Sequence, residues 1–119
     1  MFRKFEDIEV WRRGCGLVEK VYALTGKEPL DKDWGLRDQI RRSAVSVPAN
    51  IAEGYERNSR MEFRRYLLIA KGSCGELRTH LNLVKLVYSP LITEADLLIS
   101  ECLEISSILQ ILFSRIKIK

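Results

Sequence analysis

A chain of 119 residues, 46% hydrophobic and 30% charged, is long enough for one buried core and too apolar for a disordered polymer. The expectation is therefore a single domain over residues 1–119. A net charge of +4 is a mild excess that excludes no class of partner by itself.

The opening segment, MFRKFEDIEV, places acidic residues where a signal peptide requires an apolar run, so a cytoplasmic protein is expected. The first helix is predicted over roughly Asp7 to Thr25. Its apolar seam is Ile8, Trp11, Cys15, Val18 and Tyr22, spaced by threes and fours, and Gly26 with Pro29 stops it. Asp31 is placed to cap a second helix that runs to about Tyr55, with Leu36, Ile40, Ala44, Val47 and Ile51 as its seam. Pro48 lies inside that stretch, where it removes a hydrogen bond and predicts a kink. Two shorter helices broken near Val47 are the alternative, but the apolar spacing keeps its phase across the proline.

Ser59-Arg60-Met61-Glu62 reads as a capping box, with Ser59 bonding forward and Glu62 reaching back. The third helix carries the most regular seam of the chain: Phe63, Leu67, Ala70, Cys74, Leu77, Leu81, Val84 and Tyr88, ended by Ser89-Pro90. Thr93, Glu94 and Asp96 suit the start of a fourth helix, and Arg115, Lys117 and Lys119 suit the negative pole at its end. Its seam is Leu98, Cys102, Ile105, Leu109, Leu112 and Ile116. The longest uncharged stretch, Ile105 to Ser114, falls short of the ~20 apolar residues a bilayer requires, so no membrane-spanning segment is expected. Four helices with short connections predict an all-α, antiparallel up-and-down four-helix bundle with a kinked second helix.

Cys15, Cys74 and Cys102 are odd in number and each falls on an apolar stripe, which favours core thiols over a disulfide framework or a metal site. Neither metal nor cofactor is expected. Beyond the seams, Leu68, Ile69, Leu83 and Leu86 fall on the outer face of helix three, beside Gly72, Gly75 and Thr79. Val45, Ala49 and Ala52 do the same on helix two. A row of apolar residues among small ones suits packing against another subunit, so a homo-oligomer is expected.

Charge is unevenly spread. Ten basic residues face five acidic ones between Arg37 and Lys85, whereas Glu94, Asp96, Glu101 and Glu104 have no basic neighbour in sequence up to Gln110. Arg57, Arg64, Lys71, Arg78 and Lys85 recur every seventh residue, which keeps them on nearly one line of a helix. Arg60, Arg65, Arg41 and Arg42 add to this ridge, whose length suits contact with a phosphate backbone. The alternative is that these side chains flank the seam, their stems covering apolar surface and their heads in water. Gln39, Ser43, Ser46, Asn50 and Glu53 form a polar stripe on helix two. It reads either as a hydrogen-bonded layer between helices or subunits, or as a surface that positions a substrate or a base edge. His80 is the only histidine, with Glu76 one turn away, and no catalytic arrangement surrounds it in sequence. No enzyme is expected.

The run from Gln39 to Gly54 (QIRRSAVSVPANIAEG), followed by Arg57, resembles the signature of a bacterial family of four-helix-bundle proteins encoded by intervening sequences within 23S ribosomal RNA genes. Phe5-Glu6-Asp7-Ile8 with Val10-Trp11 is similar to that family's opening motif, and Ile69-Ala70-Lys71-Gly72-Ser73 with Glu76-Leu77 to its helix-three motif. Trp34-Gly35 stands where an aromatic–glycine pair is common, while Gly14 and Cys15 replace better helix formers. The resemblance implies a bundle that assembles into a ring, typically a pentamer. It extends to the accessory protein of diversity-generating retroelements, a pentameric barrel whose basic surface binds nucleic acid and a reverse transcriptase. RNA or DNA, a nucleic-acid enzyme and further copies of the chain are thus the partners the resemblance implies. A structural or protein-interaction scaffold without nucleic acid is the alternative.

Overall fold

Side-chain caps and one left-handed residue set where the helices start and stop. The computed structural model describes residues 2–118; Met1 and Lys119, the latter read above as a helix-end cation, lie outside the described residues. After a 3-10 turn at Phe5–Asp7 come α1 (Glu9–Thr25), a 3-10 turn at Leu30–Lys32, α2 (Trp34–Glu56), α3 (Arg60–Val87), a 3-10 turn at Ser89–Leu91 and α4 (Ile92–Arg115). The described residues contain no strand.

The cap of α2 is Asp33 rather than Asp31: its carboxylate accepts the Leu36 N–H at 3.2 Å, while Asp31 lies in the preceding 3-10 turn. Asn58 has a φ of 55°, a left-handed conformation that asparagine tolerates, and it turns the chain out of α2. Ser59 then caps α3 by accepting the Glu62 N–H at 3.3 Å. Only this half of the expected capping box forms, because the Glu62 carboxylate is taken by Arg65 at 3.2 and 3.3 Å. No side chain caps α4; it grows directly from the 3-10 turn, and Thr93 sits exposed within its first turn.

α2 runs unbroken through Pro48, which is buried. This is the single helix that the continuous apolar phase favours. α1 packs on α2 and α4, and α3 packs on α2 and α4, so the four helices close around one core. The molecule measures 49 × 20 × 19 Å, and the 28 residues of α3 supply about 42 Å of that length.

The seams of α2, α3 and α4 bury largely as their spacing predicts, including Ile40, Val47, Leu67, Leu77, Leu81, Cys102, Ile105 and Leu109. α1 differs. Its inner face is Val10, Gly14, Leu17, Val21 and Leu24, about one residue out of register with the predicted seam. Trp11, Cys15 and Val18 are half-buried flanks, and Tyr22 is 46% exposed. The large aromatics mark the edge of the helix, while a glycine sits at its closest contact. Cys74 and Cys102 are core residues, their thiols pushed up to about 11 and about 12 by burial, but Cys15 is only half-buried.

The expectation for membrane-spanning segments needs correction. The stretch Ser89–Arg115 is long and apolar enough by length and composition to cross a bilayer. Here it forms one wall of the bundle. Ala95, Leu98, Cys102, Ile105 and Leu109 face the core, while Leu97, Leu103 and Ile111 face outward.

Candidate interaction surfaces

The heptad line of cations lies on the flank of α3 that faces α4, and most of it is occupied. Arg64 reaches the end of α4, where Nη1 donates to the carbonyls of Phe113 at 3.1 Å and Ile116 at 2.7 Å. Its guanidinium also stands 4.0 Å from the centroid of the Phe113 ring. These bonds cap the end of α4, where the Phe113 carbonyl otherwise accepts only the Ile116 N–H at 3.3 Å. Lys85 pairs with Asp96 at 2.6 Å, and Lys71 donates to the Gln110 side chain at 2.8 Å. Arg57, just past the end of α2, donates to Glu53 at 2.9 Å and to the Tyr66 hydroxyl oxygen at 3.0 Å. Through that bond Arg57 holds the Glu53 carboxyl below its usual range, and Arg65 does the same for Glu62.

The flanking arginines follow the same rule. Arg41 donates to Thr25 Oγ1 at 2.8 Å and lies over the Tyr22 ring, and Arg60 reaches the Lys117 carbonyl at 3.5 Å. Among the described residues, the side chains of Arg42 and Arg78 have no hydrogen-bond or ion-pair partner. The ridge thus divides into cations engaged within the subunit and two, exposed Arg42 and half-buried Arg78, whose heads have no partner among the described residues.

The acidic helix is neutralised in a complementary way. Glu101 and Glu104 meet Arg13 at 3.0 and 2.9 Å, Glu94 meets Lys27 at 3.1 Å, and Asp96 takes Lys85. With these acids turned toward α1 or committed to Lys85, an open groove between α3 and α4 is lined by no carboxylate. Its 660 Å³ are bordered by Lys71, Arg78, Ser106, Ser107, Gln110 and Leu68, among others. The serines and Gln110 of the facing wall are isolated polar residues in an apolar helix. Their only sequence signal is that polarity.

The polar stripe of α2 spends most of its hydrogen bonds on its own helix. Ser43 donates to the Gln39 and Ile40 carbonyls, Ser46 to the Ser43 carbonyl, and Asn50 to the Ser46 carbonyl at 2.7 Å. Gln39 is exposed. Two links cross to α3: buried Ser43 Oγ lies 3.3 Å from His80 Nδ1, and the Tyr66 hydroxyl donates to Glu53 at 3.2 Å. No group of three or more His, Cys, Asp and Glu residues among those described is arranged to hold a metal ion.

The outer face of α3 is apolar, as its sequence predicts. Leu68, Leu83 and Leu86 are 43, 41 and 81% exposed. Gly72 and Gly75 lie beside them, and a β-carbon on either would meet nothing within 4 Å. Val45 on α2, and Leu97, Leu103 and Ile111 on α4, extend the apolar exterior.

These features define a class: a small all-α protein of four helices whose cations mostly clamp neighbouring helices beneath an apolar exterior. Within that class the chain belongs to the 23S rRNA-intervening sequence protein family, whose model matches residues 6–111. No curated protein matches it.

Proposed function

We propose that the protein is a non-enzymatic, homo-oligomeric accessory protein of the cytoplasm that holds RNA or DNA against a basic helical surface. The observation that carries assembly is the outer face of α3. Glycine inside a helix costs about 1 kcal/mol relative to alanine, and α3 contains two with open space around them. Within one subunit they are only a cost. Beside exposed Leu68, Leu83 and Leu86 they admit the close approach of a helix from a second copy.

The helices alternate in direction. Supporting this, Arg64 at the start of α3 bonds the end of α4, while Lys85 at the end of α3 pairs with Asp96 near the start of α4. The assembly proposed is a closed ring of five subunits, the form that the resemblance noted in the sequence typically implies. A ring repeats each cation once per subunit, so weak phosphate contacts from Arg42 and Arg78, and from Lys71, which is held by the neutral Gln110 amide, sum to useful avidity. Arg41, Arg57, Arg64, Arg65 and Lys85 add field more than contacts, because their heads are engaged, whereas Arg60, held by one carbonyl at 3.5 Å, keeps donors for a phosphate. A nucleic-acid enzyme would be a further partner.

The engagement of Arg57, Arg64 and Lys85 within the subunit favours a second reading, a scaffold without nucleic acid. Light scattering together with salt titration of labelled RNA and DNA separates the two. The proposal expects a mass several times 13.8 kDa and binding that weakens steeply with salt. An oligomer that binds neither polymer at low salt leaves the scaffold; a monomer at high concentration overturns assembly.

A further inference from the structure

At one end of the bundle, where α2 turns into α3 and α4 stops, a pocket of 430 Å³ opens to solvent. Its floor is aromatic. Buried Phe63 meets Tyr55 edge to face at 5.8 Å, and Tyr55 meets Phe2 at 6.5 Å. The Tyr55 hydroxyl donates to the Phe2 carbonyl at 2.6 Å, which fastens the N-terminal segment beside the pocket and leaves ring surface, rather than the hydroxyl, to a ligand.

The rim is cationic. Arg60, Arg115 and Lys117 line it, all three exposed, and no Asp or Glu side chain among the described residues does. Among the described residues none of the three lies within ion-pair distance of an acid. Elsewhere on the surface Arg13, Lys27, Arg57, Arg65 and Lys85 each have a carboxylate partner. Three like charges around one apolar hollow repel each other, and an anion placed among them relieves that repulsion. Arg60 donates to the Lys117 carbonyl, which draws the segment after α4 against the start of α3 and brings the cations together.

We propose that this pocket binds a phosphate-bearing aromatic ring the size of one nucleotide, the ring against Tyr55 and Phe2 and the phosphate among Arg60, Arg115 and Lys117. The volume lies within the range of small-ligand sites, about 300–1,000 Å³, and the lining is divided between aromatic and cationic side chains. Aromatic faces stack any base, so the ring need not be a particular one. Phe2, Arg115 and Lys117 fall outside the family match of residues 6–111, while Tyr55, Arg60 and Phe63 fall within it. It shares no residue with the apolar face or the α3–α4 groove except through the field of Arg60. Free mononucleotides and the phosphorylated end of a strand carry the same chemistry.

The test is calorimetric titration of the full chain with adenosine monophosphate, adenosine, inorganic phosphate, and short oligonucleotides with and without a 5′-phosphate. Adenosine monophosphate should bind at least tenfold more tightly than adenosine or phosphate alone. The Arg115→Gln/Lys117→Gln variant should lose at least tenfold, with its helical circular dichroism unchanged. If that variant does not fold, Arg60→Gln supplies the same comparison. A 5′-phosphorylated oligonucleotide that outcompetes the mononucleotide identifies a strand end; the reverse order identifies a free nucleotide. Lys71→Glu/Arg78→Glu should leave this binding in place, so the groove can fail without the pocket failing. No saturable binding of either phosphorylated ligand at millimolar concentration, equal binding of adenosine and its monophosphate, or unaltered affinity in the variants overturns the proposal.

Discussion

Gly14 of α1 lies against the ring of Pro48 on α2. A β-carbon at Gly14 would stand 3.3 Å from the Pro48 Cβ and Cδ, a contact that closes only if a neighbour gives way. Pro48 has already removed one backbone hydrogen bond from α2, and the buried approach of α1 covers that position with apolar atoms. Gly16, two residues on, has nothing within 4 Å of the same point. The two glycines should therefore respond in opposite directions. Gly14→Leu is expected to destabilise the fold by about 1–3 kcal/mol through overpacking, whereas Gly16→Ala should stabilise it by about 0.5–1 kcal/mol through helix propensity. Urea unfolding of both variants checks this, and equal shifts in midpoint would mean that the contact with Pro48 is slack.

The same pair shows what a sequence conceals. Heptad spacing exposes a seam wherever the buried residues are large, and in α3 every predicted seam position from Phe63 to Val84 is buried. In α1 one of the buried positions is Gly14, which has no bulk to mark it, while Trp11 and Tyr22 stand one step around the helix. Gly54 is similar: a β-carbon there would strike the Tyr66 side chain, a constraint visible only once α2 and α3 are packed. Among the cations, spacing revealed the line from Arg57 to Lys85 but not which members were taken. Arg57 finds Glu53 one turn away, but the partners of Arg64, Lys71 and Lys85 are remote in sequence, on or just past α4: Ile116 for Arg64, Gln110 for Lys71 and Asp96 for Lys85. The end pocket was illegible for the same reason, since Phe2, Tyr55 and Lys117 meet only in the fold.

Gly75 separates folding from assembly. Nothing in its own subunit fills the space of a β-carbon there, so Gly75→Ala should raise the stability of an isolated subunit by up to about 1 kcal/mol. Gly75→Leu would instead hold a neighbouring helix away from Leu68 and Leu86. The expected result is a shift of mass toward monomer in light scattering, without loss of helical signal. An oligomer unaltered by Gly75→Leu and by a companion Leu86→Glu would place the assembly surface elsewhere.

Acid should loosen the contact between the start of α2 and the end of α3. The Tyr88 hydroxyl donates to Asp33 Oδ2 at 2.6 Å, and the Leu36 N–H donates to Oδ1; together, the hydroxyl first, they hold the Asp33 carboxyl below its ordinary 3.8. A carboxyl depressed in the folded state contributes its full stability above its unfolded value and loses it as pH falls through the folded one. Tyr88→Phe removes the larger cause, so this variant should be less stable than wild type at pH 7 and lose less on passing from pH 5 to pH 2. Thermal melts across that range give the comparison. Parallel losses would show that the hydroxyl does not hold the carboxylate in solution.

Arg64 and Arg78 lie on the same line of α3 yet should behave as different kinds of residue. Arg64 bonds two carbonyls at the end of α4 and covers the Phe113 ring, so its head is part of the fold. Arg64→Ala leaves those carbonyls without a charged donor and uncovers the aromatic face. Hydrogen bonds to charged groups contribute about 1.5–3 kcal/mol each, and the exposed helix end can recruit water, so a loss of about 1–2 kcal/mol is expected. Arg78 has no side-chain partner among the described residues and borders the carboxylate-free groove with Lys71. Arg78 is half-buried but its head makes no bond, so Arg78→Ala should cost only the packing of its stem, less than about 1 kcal/mol. Its effect should instead be on binding. With Lys71→Glu added, affinity for RNA and DNA of unrelated sequence should fall uniformly, because phosphates carry no sequence information. The slope of log affinity against log salt should also become shallower by about 0.7 for each single-strand contact removed. Chemical unfolding and salt titration of the same three proteins decide the matter. A destabilised Arg78→Ala, or nucleic-acid binding that survives the double variant unchanged, would assign the whole line to helix clamping.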